Sequence, residues 1–193
     1  FLKNYINGTF DGGFNIEWVL DTQSNPLKYT INQTMMRVDL PEPLSPNGVF
    51  KFKIKWWYNI NNRLEYGGRS GYENFENDGN KVYTIAQFFP RLCVYNDIEG
   101  WQNYQFWGNG EFALEFGDYQ VNITVPSDHI MEATGTLQNP KEVLNKDEYK
   151  RFVASKSSFE KPIIIINQDE VKLKESAFSK KKSTWRFNAK NVR

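Results

Sequence analysis

One histidine and one cysteine occur in 193 residues. A zinc ion held by protein alone takes three or four ligands rich in those two residue types, so His129 and Cys93 do not suffice for such a site. A lone cysteine also excludes an internal disulfide framework. No apolar run approaches the roughly 20 residues needed to span a bilayer as a helix; the longest aliphatic block is PIIII, residues 162–166. Neither sign of charge predominates: 24 Lys+Arg against 23 Asp+Glu leave a formal charge of +1, which is no footprint for nucleic acid. HExxH, G-x-S-x-G and the Walker loop are missing too. The glycines of GWQNYQFWGNG do not lie between a strand and a helix, as a phosphate cradle requires.

What the chain has is aromatic residues, 16% of the total, with six tryptophans. They fall largely on a period of two. Phe14, Ile16, Trp18 and Leu20 share one side of an extended segment, and Met36, Val38 and Leu40 repeat the pattern until Pro41 and Pro43 end it. In VFKFKIKWWYNI, Phe50, Phe52, Ile54, Trp56 and Tyr58 alternate with Lys51, Lys53 and Lys55, the signature of an antiparallel strand with one wet face. Phe112, Leu114 and Phe116 predict a strand, Tyr119, Val121, Ile123 and Val125 the next, with the Gly-Asp of FGDY as a hairpin between them. Trp185 and Phe187 mark a last strand. Residues 67–80, GGRSGYENFENDGN, read as a long loop.

Helical signals come late. Asn145 with Glu148 three residues on, and Asn167 with Glu170, each spell an N-cap and capping-box acid. The aliphatic block between them reads as a short buried strand. The fold expected is mainly β, an antiparallel sandwich or saddle-like domain with two short helices inserted near the C-terminus. The whole chain, 1–193, reads as a single β-domain, with 141–182 as a Lys-rich helical insertion.

Several residues invite a chemical reading and have a plainer one. His129, alone in PSDHIM, fits a surface or hydrogen-bonded histidine better than a ligand. Cys93, between Leu92 and Val94, fits an inert, buried thiol. The acid pairs Asp97/Glu99 and Glu111/Glu115 could suggest glycoside hydrolysis, but acids this close in sequence usually face solvent. Trp18, Trp56 and Tyr119 sit at inward phase. Trp57, Trp101, Tyr104 and Trp107 are the aromatics free to be exposed, which suits either a domain interface or a carbohydrate-binding face.

The run YTIAQFFPRLCVYNDIEGWQ, then GNGEFALEFGDYQVNITVPSDHIMEATGTLQNPKEVL, then STWRFNAKNVR resembles the N-terminal β-domain of aminopeptidase N-like zinc metallopeptidases, the gluzincins, in a bacterial subgroup. The likeness runs from about Met36 to Arg193. It implies an accessory, non-catalytic domain of an enzyme that removes N-terminal residues from peptides. The zinc and its HExxH would belong to a catalytic domain expected after residue 193, so that this chain binds no cofactor and catalyses nothing alone. Its implied partners are that catalytic domain and the peptide substrate, with no nucleic acid and no membrane span; the compartment stays open.

The resemblance also gives a meaning to the segment 86–102. In the family, a loop of this domain leans over the catalytic cleft, with a Gln or Glu that helps bind the substrate's free α-amino group or lines the first side-chain pocket. Gln87 is the matching position, and its amide oxygen can accept from an ammonium. Arg91 and Asp97 are expected to hold the loop as an ion pair. The alternative is a stand-alone carbohydrate-binding module, resting on the exposed aromatics.

Overall fold

The computed structural model describes residues 9–106 and 113–193. The chain forms two compact units, Phe1–Leu114 and Glu115–Arg193, each with antiparallel strands. The protein is mainly β: five small antiparallel sheets are joined by turns, with short helices.

The first unit is a set of two-stranded pairs. β1 (Asn15–Asp21) pairs with β4 (Phe52–Trp57), and β2 (Tyr29–Asn32) with β3 (Met35–Val38). In β4 the lysines face water while Ile54 and Trp56 are half-buried, as the alternation predicts, but Phe52, expected on the inner side, is exposed. β1 departs from its predicted phase. A bulge between Ile16 and Trp18 places Val19, not Trp18 or Leu20, opposite Ile54. The extra residue shifts every later side chain to the other face, so Val19 is the buried residue at 2% exposure. Leu27 joins it, its N–H donating to the Val19 carbonyl at 2.9 Å.

The segment 67–80 is no long loop. It contains β5 (Gly71–Phe75), which pairs with β6 (Asn80–Thr84) in a hairpin. Before it, α1 (Arg63–Tyr66) is capped by Asn62 and tied to β5 by Arg63 on Glu73 at 3.0 Å. β7 (Tyr95–Asn96) and β8 (Gly100–Trp101) form the fourth pair.

The second unit is built on one sheet in the order β10–β11–β9, with β9 Gly117–Pro126, β10 Thr136–Leu137 and β11 Lys182–Val192. Tyr119, Val121, Ile123 and Val125 alternate with exposed residues along β9 as expected. The predicted hairpin at Gly117-Asp118 is absent: both residues lie inside β9, where Gly117 pairs with Val192 and Asp118 accepts from the Asn191 N–H at 2.9 Å. Pairing with β11 satisfies that backbone, so the Gly-Asp has no turn to make. Residues 113–116 are not strand, and Phe112 lies outside the described residues.

Trp185 and Phe187 project from one face of β11 and, with Leu144, form the buried core at 4%, 2% and 9% exposure. Helices α2 (Pro140–Val143), α3 (Lys146–Ser155) and α4 (Gln168–Glu175) lie in this unit. Both capping boxes are present: Asn145 with Glu148 opens α3, and Asn167 with Glu170 opens α4. The PIIII block is not a strand. Arg151 donates to the Ile165 carbonyl at 2.7 Å and to both Glu170 carboxylate oxygens at 2.6 Å, so a side chain takes a backbone acceptor that a neighbouring strand would otherwise occupy. Among the described residues no helix is long and apolar enough to cross a membrane.

Candidate functional site

The segment 86–102 leaves β6 and bends at once. Gln87 has φ +52°, the left-handed region that costs a residue with a Cβ about 1–3 kcal/mol unless its surroundings impose it. Two clamps do so. The Ser70 hydroxyl accepts from the Ala86 N–H at 3.0 Å and shares its proton between the Thr84 and Ala86 carbonyls at 3.2 and 3.3 Å. On the far side, the Trp56 indole donates to the Phe88 carbonyl at 3.1 Å. Residues 86 and 88 are thereby pinned, and the one between them turns outward.

Gln87 is exposed, and among the described residues its amide has no hydrogen-bond partner. An outward glutamine on a fixed backbone can offer its oxygen to a cation and its nitrogen to an acceptor. Behind it Phe88 and Phe89 pack edge to face at 5.1 Å, with the Arg91 guanidinium over the Phe89 ring at 5.3 Å.

The turn that follows is held differently from the expected ion pair. Asn96 Oδ1 accepts from the N–H groups of Ile98 and Glu99 at 3.1 and 2.8 Å, and Gly100 takes φ +69°, closing a three-residue hairpin of the type that needs a left-handed residue at its end. Among the described residues Arg91 and Asp97 form no ion pair. An Asx turn and a glycine shape this turn. Asp97 and Glu99 are both exposed, as is Glu115; Glu111 lies outside the described residues.

A second amide, which sequence reasoning passed over, organises the same region. Gln105 Oε1 accepts from Thr34 N–H and Oγ1 at 3.0 and 2.7 Å, and its Nε2 donates to the Asn32 carbonyl at 2.8 Å. It fills the β2–β3 turn, where Gln33 has φ +53°. The turn residues Asn32-Gln33-Thr34 were the available signal, but nothing in the chain says which distant amide meets them.

Trp101 and Tyr104 are exposed, at 54% and 67%, and Trp57 at 47%; Trp107 lies outside the described residues. Tyr95 and Trp101 meet edge to face at 5.3 Å. Trp18, Trp56 and Tyr119 are half-buried. Cys93 is half-buried, with its thiol 3.8 Å from the Met35 sulfur.

In comparisons with protein-family models, curated proteins and solved structures, nothing matches the chain. The functional reading therefore stands on residues and geometry. His129 is one of those residues. Its Nδ1 lies 3.0 Å from Asp128 Oδ1. Asp128 also accepts from the Ser179 N–H at 2.6 Å, and that contact, followed by the histidine, holds its carboxyl below the ordinary range. The arrangement is that of a hydrogen-bonded surface histidine. Among the described residues no group of three or more His, Cys, Asp and Glu side chains could hold a metal ion.

Proposed function

We propose that this chain is the accessory, non-catalytic β-part of a zinc aminopeptidase, lining the substrate cleft of a separate catalytic domain. In this reading Gln87 accepts a hydrogen bond from the α-ammonium of the peptide. The observation that carries it is the local geometry of Gln87: exposed, left-handed, without an internal partner for its amide, and fixed on both sides by Ser70 and Trp56. Left-handed backbone also occurs at turns such as Gln33, so it is the exposed amide and the clamps on both sides of Gln87 that support the reading. The exposed aromatics of the first unit, Trp57, Trp101 and Tyr104, suit an interface in the same reading, since Trp and Tyr are enriched at interfaces.

The role is one of positioning. An amide oxygen held on a rigid turn needs no reorganisation to receive the ammonium, and a peptide anchored at its amino terminus presents its first peptide bond at a fixed distance. Zinc chemistry would belong wholly to the other domain, and none of it is routed through these residues.

The test is steady-state kinetics of the full gene product on a short peptide with a free amino terminus, beside its N-acetylated form. Loss of a charge-assisted hydrogen bond of about 1.5–3 kcal/mol lowers kcat/KM for Gln87→Ala by roughly 10- to 150-fold. Zinc content and thermal stability stay at wild-type values. An unchanged kcat/KM returns Gln87 to being a turn residue. A second reading, a carbohydrate-binding face, draws on Trp57, Trp101 and Tyr104; saturable binding of oligosaccharides, with no aminopeptidase activity in the full product, would favour it.

A further inference from the structure

The sheet of the second unit ends on one side at β9, and the bonds made by β11 show which backbone groups that edge leaves open. The Arg186 N–H donates to Asn139 Oδ1 at 2.9 Å, and its carbonyl accepts from the Gln138 N–H at 2.8 Å. The Thr184 carbonyl accepts from Asn139 Nδ2 at 2.9 Å. These residues of β11 turn their backbone towards β10. Ser183, Trp185, Phe187 and Ala189 turn theirs to β9, where they stand opposite Val125, Ile123, Val121 and Tyr119. Backbone direction alternates along a strand, so Gln120, Asn122 and Thr124 direct both N–H and carbonyl away from β11. Among the described residues no strand lies on that side and no backbone group bonds to it. All three residues are exposed.

A free edge of this kind is a template for another strand, and proteins usually blunt it with lysine, proline or a bulge. The middle of β9 has none of these. From Tyr119 to Val125 it carries no charge and no proline, and its register with β11 runs unshifted from Pro126 to Tyr119. Its inward side chains are also short of cover. Trp185 and Phe187 on β11 are buried at 4% and 2%, whereas Tyr119, Val121, Ile123 and Val125 are half-buried. A neighbouring strand would supply both the missing bonds and the missing cover.

The strand that fits this edge is a second β9. Two copies laid antiparallel overlap over most of their length when a twofold axis passes at Val121 or at Asn122. With the axis at Asn122, Gln120 stands opposite the partner's Thr124, Val121 opposite the partner's Ile123 and Tyr119 opposite the partner's Val125. β-Branched and aromatic residues meet across the join, as in stable antiparallel pairs. Like charges meet in neither register, since Asp118 falls opposite the partner's Thr124 or the partner's Pro126. A strand so free of charge offers nothing by which an unlike strand would be selected. Pairing also stops at two copies, because the other edge of the sheet is β10, two residues long.

We propose that the chain forms a twofold homodimer through β9, its three-stranded sheet joining that of a second copy edge to edge. The proposal concerns the second unit alone and is independent of the reading of Gln87.

The test uses the whole chain. Sedimentation equilibrium gives a monomer–dimer equilibrium with no larger species. Where the dimer prevails, amide hydrogen exchange is slow at Gln120, Asn122 and Thr124, whose N–H groups have no acceptor among the described residues, as well as at Val121 and Ile123. On dilution to the monomer the first three become fast and the other two stay slow. Asn122→Pro removes only an outward donor, at an edge position where proline is tolerated. It raises the dimer dissociation constant by about tenfold or more. If that variant does not fold, the exchange pattern of the wild type still decides. The proposal is overturned by a chain that stays monomeric up to its highest soluble concentration, or by a dimer whose Gln120, Asn122 and Thr124 amides exchange freely. Protection of those amides in the monomer, or an unchanged dissociation constant in Asn122→Pro, overturns it equally.

Discussion

Glu148 is the fully buried carboxylate of the second unit, at 0% exposure, and removal of its counter-ion should be the most damaging single charge change there. Its Oε2 accepts from the Asn145 N–H at 2.8 Å, closing the capping box of α3. Its Oε1 has no hydrogen bond but lies 3.3 Å from the Lys174 ammonium on α4. The contact is electrostatic in character, made by a lysine whose side chain is 23% exposed. Truncating one partner of a buried pair strands the other charge, which costs about 3–5 kcal/mol. Water reaching the lysine side places this pair at the low end, about 3 kcal/mol. Glu148→Gln keeps an oxygen for the cap and removes the charge, costing about 1 kcal/mol. Lys174→Met in that background then strands nothing, so the double variant should be more stable than Lys174→Met alone. Among the described residues the helices of eight or more residues both lie in this unit, so ellipticity at 222 nm during urea unfolding follows it. With a slope of about 1–1.5 kcal/mol per M, Lys174→Met lowers the midpoint by roughly 2–3 M. A shift under about 0.5 M, or costs that simply add in the double variant, would refute the reasoning.

Two further changes probe the same unit. Glu170 is held below the ordinary carboxylate range, chiefly by the Arg151 guanidinium and then by the Asn167 N–H. A folded value below the unfolded one, about 4.3, gives stability that is complete above that pH and lost as pH falls through the folded value. Glu170→Gln therefore lowers the urea midpoint at pH 7, and its difference from wild type shrinks as the pH falls below about 4; a difference constant from pH 7 to 2 would contradict this. At Gly135, φ is +107° and an added Cβ would meet the Asn188 carbonyl oxygen at 2.5 Å. Backbone cannot yield as a side chain does, so Gly135→Ala costs about 2–3 kcal/mol, with faster hydrogen exchange at Leu137, beside β11; unchanged exchange there would show that the segment simply moves aside.

The second unit was the more legible of the two, and the reason is the range over which its signals act. A capping box is written within four residues, so Asn145 with Glu148 and Asn167 with Glu170 could be read directly. Strict alternation over ten residues fixed the face of β9. The failures share a different origin. The bulge at Ile16/Trp18 reverses a face by one extra residue that the alternation of the strand does not announce. The Gly-Asp at 117–118 carries turn chemistry, but β11, some seventy residues on, claims its backbone. PIIII has the composition of a strand, and Arg151 on a neighbouring helix occupies a carbonyl in it. In each case a long-range hydrogen bond overrode a local preference.

The candidate site shows the same division more sharply. That Gln87 is the lone amide between Ala86 and Arg91 could be read from the chain; that it is left-handed and clamped could not, because Ser70 and Trp56 come from distant parts of the chain. The predicted Arg91–Asp97 pair was a sound guess at what rigidifies a turn, yet Asn96 and Gly100 accomplish it with shorter reach and no desolvation of charge. The first unit's aromatics complete the argument. Among its described residues only Val19 and Leu27 are buried apolar side chains, while Trp57, Trp101, Tyr104 and Phe106 are exposed. Two-stranded pairs are marginal by themselves and gain stability by covering an apolar face. In a unit built from four such pairs, a surface that covered the exposed rings of Trp57 and Trp101 would add stability.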